Sequence, residues 1–240
     1  TIAKIETQDL VKLSSPQMGS VSAAAVQALT ASQLAALTTT QVSQMTSAQF
    51  GALTATQVPN LTTEQFAAMT STQVNGLSGA AVAKIETQDL VKLGTAQISG
   101  LSTAVINALT KTQVAALTTE QVSKLTSTQL GALNDLVVPE LTSDQFAKLT
   151  STQINGMTAT GIAKIETQDL VKLDTAQING LSTGVISALT KTQLAALTTE
   201  QISKLSATQF GAISAIAVPG LTTDQFAKIS STQINGMSAS

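Results

Sequence analysis

Residues 117–133 read LTTEQVSKLTSTQLGAL, and the pattern Leu-Thr-x-x-Gln occurs in them twice, eight residues apart. We number each octad so that the threonine of this pattern is position 1. Counted from Glu6, the chain contains 29 complete octads, in which positions 5 and 8 are always apolar and position 4 is glutamine 19 times. An eight-residue repeat therefore runs through nearly all of the 240 residues.

A longer period of 80 residues groups these octads. The segment AKIETQDLVKL recurs at residues 3–13, 83–93 and 163–173, and one proline keeps the same spacing at Pro59, Pro139 and Pro219. We therefore expect one continuous solenoid over residues 1–240, built of three blocks of ten octads at 1–80, 81–160 and 161–240. Because the chain begins at Thr1 without an initiator methionine or a signal peptide, we also expect it to be a segment of a longer protein.

Each octad carries the signal for the start of a helix. Thr118 followed three residues later by Gln121 forms a capping box, in which the threonine oxygen accepts a hydrogen bond from the backbone N–H at position 4. The glutamine side chain reaches back to the threonine N–H. The preceding leucine and the apolar residue at position 5 match a hydrophobic staple, so the pattern predicts a new helix in every octad.

The octad also carries signals that end a helix. Proline stands at position 6 in one octad of each block, where a continuing helix would lose a hydrogen bond and clash. Glycine often occupies position 6 or 7, where we expect a left-handed C-cap. These glycines are Gly51, Gly76, Gly131, Gly156, Gly211 and Gly236. Each helix must therefore be short.

The charged residues follow the direction of the predicted helices. Thirteen of the 14 acidic residues, all except Glu140, lie at positions 1 to 4, and ten of the 12 lysines lie at position 7. A helix dipole favours acids near its N-terminus and bases near its C-terminus, whereas a strand gives no reason for this segregation. The charge pattern thus supports one helix per octad.

Other regular structures fit the octad less well. A continuous helix would rotate the apolar pair by about 80° per octad, so that no apolar stripe persists. A strand would point positions 5 and 8 to opposite faces, although a β-solenoid remains the alternative because threonine, valine and isoleucine favour strands. We predict an all-α solenoid of very short helices, with positions 5 and 8 inside and positions 2, 3, 6 and 7 mostly outside.

The composition excludes several functions. The chain has no His, Cys, Trp, Tyr or Arg, a net charge of -2, and only 11% charged residues. Thiol and imidazole catalysis and ordinary zinc sites therefore lack their side chains, and a nucleic-acid surface is not expected. No apolar run reaches the roughly 20 residues of a membrane helix. We predict no enzyme, no catalytic, cofactor or metal residues, and no membrane insertion.

Three ETQD segments are the candidates for a ligand site. Their paired carboxylates could form a weak calcium site. We favour a structural role, in which both acids lie at a helix N-terminus in place of the usual threonine and glutamine. The pairs are Glu6 and Asp9, Glu86 and Asp89, and Glu166 and Asp169.

Two further residue types have structural interpretations. The phenylalanines all fall at position 5 and are expected in the core: Phe50, Phe66, Phe146, Phe210 and Phe226. The Asn-Gly pairs are expected at helix exits and begin at Asn75, Asn155, Asn179 and Asn235. The threonines and serines at positions 2 and 3 leave open a regular hydroxyl surface that binds ice or sugars.

Units such as LTTEQFAAM, LTTEQVSKL and LTTDQFAKI resemble the LTxxQ octapeptide repeats of very large secreted or surface-attached bacterial proteins, often described as adhesin-like. The resemblance implies an extracellular, non-enzymatic spacer or stalk. A solenoid that recognises a glycan or peptide is the alternative. End-to-end or lateral self-association and a surface ligand such as a glycan remain open as partners, and the pattern does not give the number of octads per turn.

Overall fold

The computed structural model of the chain describes residues 2–237. The chain divides into two compact units, of which the first ends at Lys124 and the second begins at Leu125. Within the described residues all regular structure is helical, with 26 α-helices of four to seven residues and four 3-10 helices. The predicted all-α solenoid is confirmed, and the described residues contain none of the strands that the β-solenoid alternative requires.

The first unit contains helices α1 to α14 in chain order. They are Thr7–Leu10, Ser15–Gly19, Ala23–Gln27, Ala31–Ala36, Thr39–Gln44, Ser47–Gly51, Thr63–Ala68, Ser71–Val74, Gly79–Val82, Thr87–Leu90, Thr95–Ser99, Thr103–Asn107, Lys111–Ala116 and Thr119–Ser123. Its 3-10 helices are Ile2–Lys4 and Val58–Asn60.

The second unit contains helices α15 to α26. They are Ser127–Gly131, Ser143–Ala147, Ser151–Ile154, Ala159–Ile162, Thr167–Leu170, Thr175–Asn179, Thr183–Ala188, Lys191–Ala196, Thr199–Lys204, Ala207–Gly211, Thr223–Phe226 and Ser231–Met237. Its 3-10 helices are Val138–Glu140 and Val218–Gly220.

The helices begin at the predicted capping boxes. At α14 the backbone N–H of Gln121 donates to Thr118 Oγ1 at 3.1 Å, and the N–H of Thr118 donates to Gln121 Oε1 at 2.9 Å. Thr118 has extended backbone angles, φ -70° and ψ 154°, as an N-cap requires. Both hydrogen bonds recur at most octads with glutamine at position 4, including those capped by Thr30, Thr62, Thr150, Thr198 and Ser206.

The helices end without left-handed residues, so the predicted glycine C-caps are wrong. No described glycine has a positive φ. Instead the last turn tightens, as where the N–H of Leu37 donates to the carbonyl of Leu34 at 3.2 Å. Leu37 itself is extended, with φ -56° and ψ 133°, and leads the chain into the next cap. Glycine serves close backbone approach: a Cβ on Gly76 would overlap the carbonyl oxygen of Ser47.

The proline octads differ from the prediction of one α-helix per octad. Pro59 lies in the 3-10 helix Val58–Asn60, and Pro139 and Pro219 lie in its two counterparts. Proline disfavours helical backbone angles in the residue before it and lacks an N–H donor. The proline octads therefore begin with a hydrogen-bonded turn, as where the N–H of Gln57 donates to the carbonyl of Thr54 at 3.0 Å.

The core contains positions 5 and 8, as predicted. Phe50, Phe66, Phe146 and Phe210 are at most 1% exposed. The prediction is wrong for Phe226, which is 49% exposed. Phe226 lies in the last turn that the structure describes.

The turn length follows from contacts within each unit. Helix α2 packs against α5 in the first unit, and α20 packs against α23 in the second. Hydrogen bonds between neighbouring turns join residues 23 to 31 positions apart, and a separation of 28 recurs throughout. One turn therefore takes about three and a half octads. The continuity of one solenoid through all three blocks stays a prediction.

Candidate functional site

A buried glutamine at position 4 joins each turn to the preceding one. Gln121 is 3% exposed and accepts a hydrogen bond from the Thr118 N–H through Oε1. Its Nε2 donates to the carbonyls of Leu90 and Leu93, at 3.0 and 2.8 Å. One side chain thus supplies hydrogen-bond partners for three backbone groups: the N–H at the start of its own helix and two carbonyls of the preceding turn. We call this arrangement a glutamine bridge.

Glutamine bridges recur in both units. Each donates from Nε2 to carbonyls 28 to 31 residues earlier in the chain. In the first unit they are Gln33, Gln41, Gln49, Gln57, Gln65, Gln73, Gln97, Gln113 and Gln121. In the second unit they are Gln153, Gln177, Gln193, Gln201, Gln209, Gln225 and Gln233.

The capping box predicted only half of this role. The sequence predicts that each glutamine caps its own helix through Oε1. The structure adds that Nε2 of the same side chain donates to carbonyls of the preceding turn. Leaving a buried backbone group without a partner costs about 1–3 kcal/mol, so this second half matters for stability. Within the described residues, every fully buried side-chain nitrogen and oxygen has a hydrogen-bond partner.

In two octads without glutamine at position 4, an asparagine of the preceding turn takes part in the contact between turns. Position 4 of the octad that begins at Ser102 is Val105. Asn75, in the preceding turn, accepts from the Ser102 N–H at 2.7 Å and donates to the carbonyl of Gly100 at 3.0 Å. In the second unit the same two bonds join Asn155 to Ser182 and Gly180. Asn75 and Asn155 each stand 27 residues before an N-cap serine whose octad lacks glutamine. This constant separation is the sequence signal that could have revealed the contact.

The Asn-Gly pairs otherwise behave as predicted in three cases. Asn75 and Asn155 are the C-cap residues of α8 and α17, and Gly180 is the C-cap of α20 directly after Asn179. The prediction is wrong for Asn235, because α26 continues through it to Met237. Asparagine and glycine lower helix propensity without preventing a helix, so the pair alone does not end one.

The ETQD segments lie at helix N-termini, as predicted. Glu86 is the N-cap of α10, but its carboxylate makes no capping bond and instead accepts from Gln88 Nε2 at 2.7 Å. Asp89 is 2% exposed and accepts from the Thr63 hydroxyl, one turn earlier, at 2.7 Å. Asp9 lies in the first turn that the structure describes and is exposed. The described residues contain no group of three or more acids that could hold a metal ion.

Two buried aspartates have unusual proton affinity. Burial raises the pKa of Asp89, the Thr63 hydroxyl opposes that shift, and the charges of Glu86 and Glu64 add to it. Burial likewise raises the pKa of Asp169. These two carboxyl groups are therefore harder to ionise than ordinary aspartates.

Open grooves follow the junctions between octads in the second unit. Two of them, of about 370 and 360 Å³, lie eight residues apart along the chain. Each contains carboxylate, hydroxyl and amide groups beside a few apolar atoms. The first is lined by Ala163, Ile165, Glu166, Thr167, Gln168, Thr190, Thr192 and Gln193. The second is lined by Val171, Leu173, Asp174, Thr175, Thr198, Glu200 and Gln201.

The fold and its bridges define an all-helical tandem-repeat protein in which each turn stabilises the next. The ALTTAQ repeat family model matches residues 2–39, 33–63, 42–79, 82–119 and 162–199, which together make up more than half of the chain. The chain therefore belongs to the ALTTAQ repeat family, and the predicted LTxxQ repeat tract is confirmed. A comparison with curated proteins gave no match. No described helix is long and apolar enough to cross a membrane.

Proposed function

We propose that this chain is a non-catalytic structural repeat module that acts as a spacer or stalk. The observation that carries the proposal is the glutamine bridge, because its hydrogen bonds join only neighbouring turns. An array held together in this way gains stability with every added turn and needs no distant contacts. Such a module can be lengthened by repetition without a new core.

We also propose that the module belongs to a large extracellular or surface-attached bacterial protein. Support comes from the resemblance of its LTxxQ octads to the repeats of such proteins. In that setting the spacer would hold a terminal binding or catalytic domain away from the cell. The position of the module within its natural protein could be tested by antibody labelling of intact bacteria.

The spacer role predicts how the dimensions grow with the number of repeats. Chains extended by one or two further copies of residues 81–160 should increase their maximum dimension in small-angle scattering by equal steps. A compact globule would instead increase its radius only as about the 0.38 power of length. Globular scaling would rule out the spacer.

A second candidate function is ligand recognition, favoured by the evenly spaced grooves of the second unit. Their hydroxyl and carboxylate groups suit a polar ligand such as a glycan or a peptide. The test is an array of glycans and peptides probed with the chain and with Thr192→Ala, which alters a groove-lining residue. Thr208→Ala is the matched control because Thr208 is also exposed but lines neither groove. Equal binding by both variants would reject the grooves as the site.

A further inference from the structure

Two turn interfaces contain a buried aspartate at the position where most octads have a glutamine. Asp89 in the first unit and Asp169 in the second occupy position 4, and both are 2% exposed. A glutamine at this position both accepts and donates hydrogen bonds, whereas a carboxylate only accepts. These two buried side chains therefore cannot form the bridge in their ionised state.

If Asp89 keeps the register of the glutamine bridges, two carbonyls of the preceding turn lie opposite it. Offsets of 28 and 31 residues, which bring each bridging glutamine to two carbonyls, correspond here to the carbonyls of Leu61 and Val58. Both belong to a proline octad, and α10 packs against α7, which directly follows that octad. The aspartate is one methylene shorter than glutamine, and its Oδ1 accepts from the Thr63 hydroxyl at 2.7 Å.

The second unit repeats this arrangement independently. The Ser143 hydroxyl donates to Asp169 Oδ1 at 2.6 Å, and α16 packs against α19. The same offsets lead from Asp169 to the carbonyls of Leu141 and Val138, again in a proline octad. The same hydrogen bond from a hydroxyl group to a buried aspartate therefore occurs in both units.

The charged side chains that shift the pKa of Asp89 are acidic. Glu86 on its own octad and Glu64 on α7 both disfavour its ionisation. Lys92 acts on Glu64 rather than on Asp89. On the other side, α13 carries Lys111 as its only charged residue, at its first position.

Around Asp169 the charges are similar. Glu166 disfavours ionisation of Asp169. The packed helix α16 contributes Asp144, and α22 contributes Lys191 at its first position. In both copies, burial acts in the same direction as the neighbouring glutamate.

We propose that Asp89 and Asp169 are proton-dependent bridges between turns. In the neutral acid, the carboxyl O–H donates to a carbonyl of the preceding turn, as the glutamine amide does elsewhere. Loss of that proton to solvent removes the donor and leaves a buried negative charge opposite backbone oxygens, which weakens the interface. These two interfaces between turns are therefore most stable in mildly acidic solution.

The sign of the pH effect follows from linkage. An aspartate whose folded pKa is raised above the unfolded value of about 3.9 binds its proton more tightly in the folded state. Its stabilising contribution is complete below the unfolded pKa and is lost as the pH rises through the folded pKa. Each unit of difference between the two values changes the unfolding equilibrium constant tenfold above both.

The test compares urea unfolding of the full chain and of Asp89→Gln/Asp169→Gln between about pH 4 and pH 7.5. We expect the double variant to gain stability relative to the wild type as the pH rises, so that the ratio of its unfolding constant to that of the wild type falls between the two pH values. Asp9→Gln is the control, because Asp9 is exposed and should leave the wild-type pH dependence unchanged.

A second variant separates the charge from the side-chain length. Asp89→Asn/Asp169→Asn keeps the length of aspartate and supplies a neutral donor, so it should also lose the pH-dependent difference. Hydrogen exchange at residues 58–61 and 86–93 should quicken with pH in the wild type, beyond the intrinsic rate, and not in this variant. The proposal would be overturned if the stability of all four proteins changed with pH in the same way. It would also be overturned if the wild type gained stability relative to the two double variants at neutral pH.

Discussion

Replacement of one bridging glutamine by alanine should destabilise the solenoid strongly. Gln201 is 3% exposed; it accepts from the Thr198 N–H at 2.9 Å and donates to the carbonyls of Leu170 and Leu173, each at 2.9 Å. The Leu170 carbonyl keeps a second donor, the N–H of Leu173. Gln201→Ala therefore leaves two backbone groups without their partner. At about 1–3 kcal/mol for each group that loses its partner, the loss is roughly 2–6 kcal/mol.

The measurement is the urea midpoint followed by far-UV circular dichroism, with the slope checked for constancy. Gln168→Ala is the matched control: Gln168 is exposed and bonds only to the Glu166 carboxylate. It should change stability by no more than about 0.5 kcal/mol. Gln201→Glu should exceed the alanine cost at neutral pH, because a carboxylate would face two carbonyls, and should recover on acidification.

The outcome that refutes the bridge is clear. If Gln201→Ala and Gln168→Ala unfold at the same urea concentration with the same slope, the buried amide contributes nothing beyond an exposed one. The hydrogen bonds across the turn would then have no energetic weight.

Two other predictions concern single contacts, each with a control in the second unit. Asn155→Ala should cost about 1–3 kcal/mol, because it removes two hydrogen bonds to the following turn that are each worth about 0.5–1.5 kcal/mol net. Asn179→Ala, at an equally exposed residue, should be nearly neutral by thermal unfolding. Gly156→Ala should destabilise the folded chain by more than about 1 kcal/mol, since the added Cβ would overlap the Ser127 carbonyl. Gly184→Ala should stabilise it by about 0.5–1 kcal/mol, because Gly184 lies within a helix and the space beside it is open. Equal melting temperatures within either pair would contradict the contact.

The local structure could be predicted from the sequence because its causes lie within one octad. Thr118 and Gln121 are three residues apart, so their capping box is visible in the sequence and fixes where a helix begins. The burial of positions 5 and 8 also follows from the octad, since these positions are apolar in every copy and apolar side chains gain free energy on burial. Phe226 departs from this expectation, because burial also depends on contacts between turns.

The contacts between turns could not be predicted from the octad alone. Their register depends on the angle at which one short helix follows another, which is set at extended residues such as Leu37 and by packing. Without the turn length, the partner of the Gln121 amide cannot be identified. The same gap led to glycine being assigned to left-handed caps, whereas Gly76 allows two backbones to approach closely.

For the candidate ETQD sites, one feature could be predicted from the sequence and another could not. Their place at helix N-termini follows from charge and capping, and the structure agrees for Glu86 and Asp89. The burial of Asp89 against Thr63 does not follow from the octad, because Thr63 lies 26 residues earlier. An acid that resembles a solvated cap in the sequence is thus a buried group in the fold.

The most direct test of the account is a nuclear Overhauser measurement on the side-chain amide of Gln201 in chain labelled selectively at glutamine and leucine. The account predicts cross-peaks from the Nε2 protons to Leu170 and Leu173, 31 and 28 residues earlier in the sequence. Cross-peaks confined to residues of its own octad and the adjacent one would contradict the stacking of turns through glutamine.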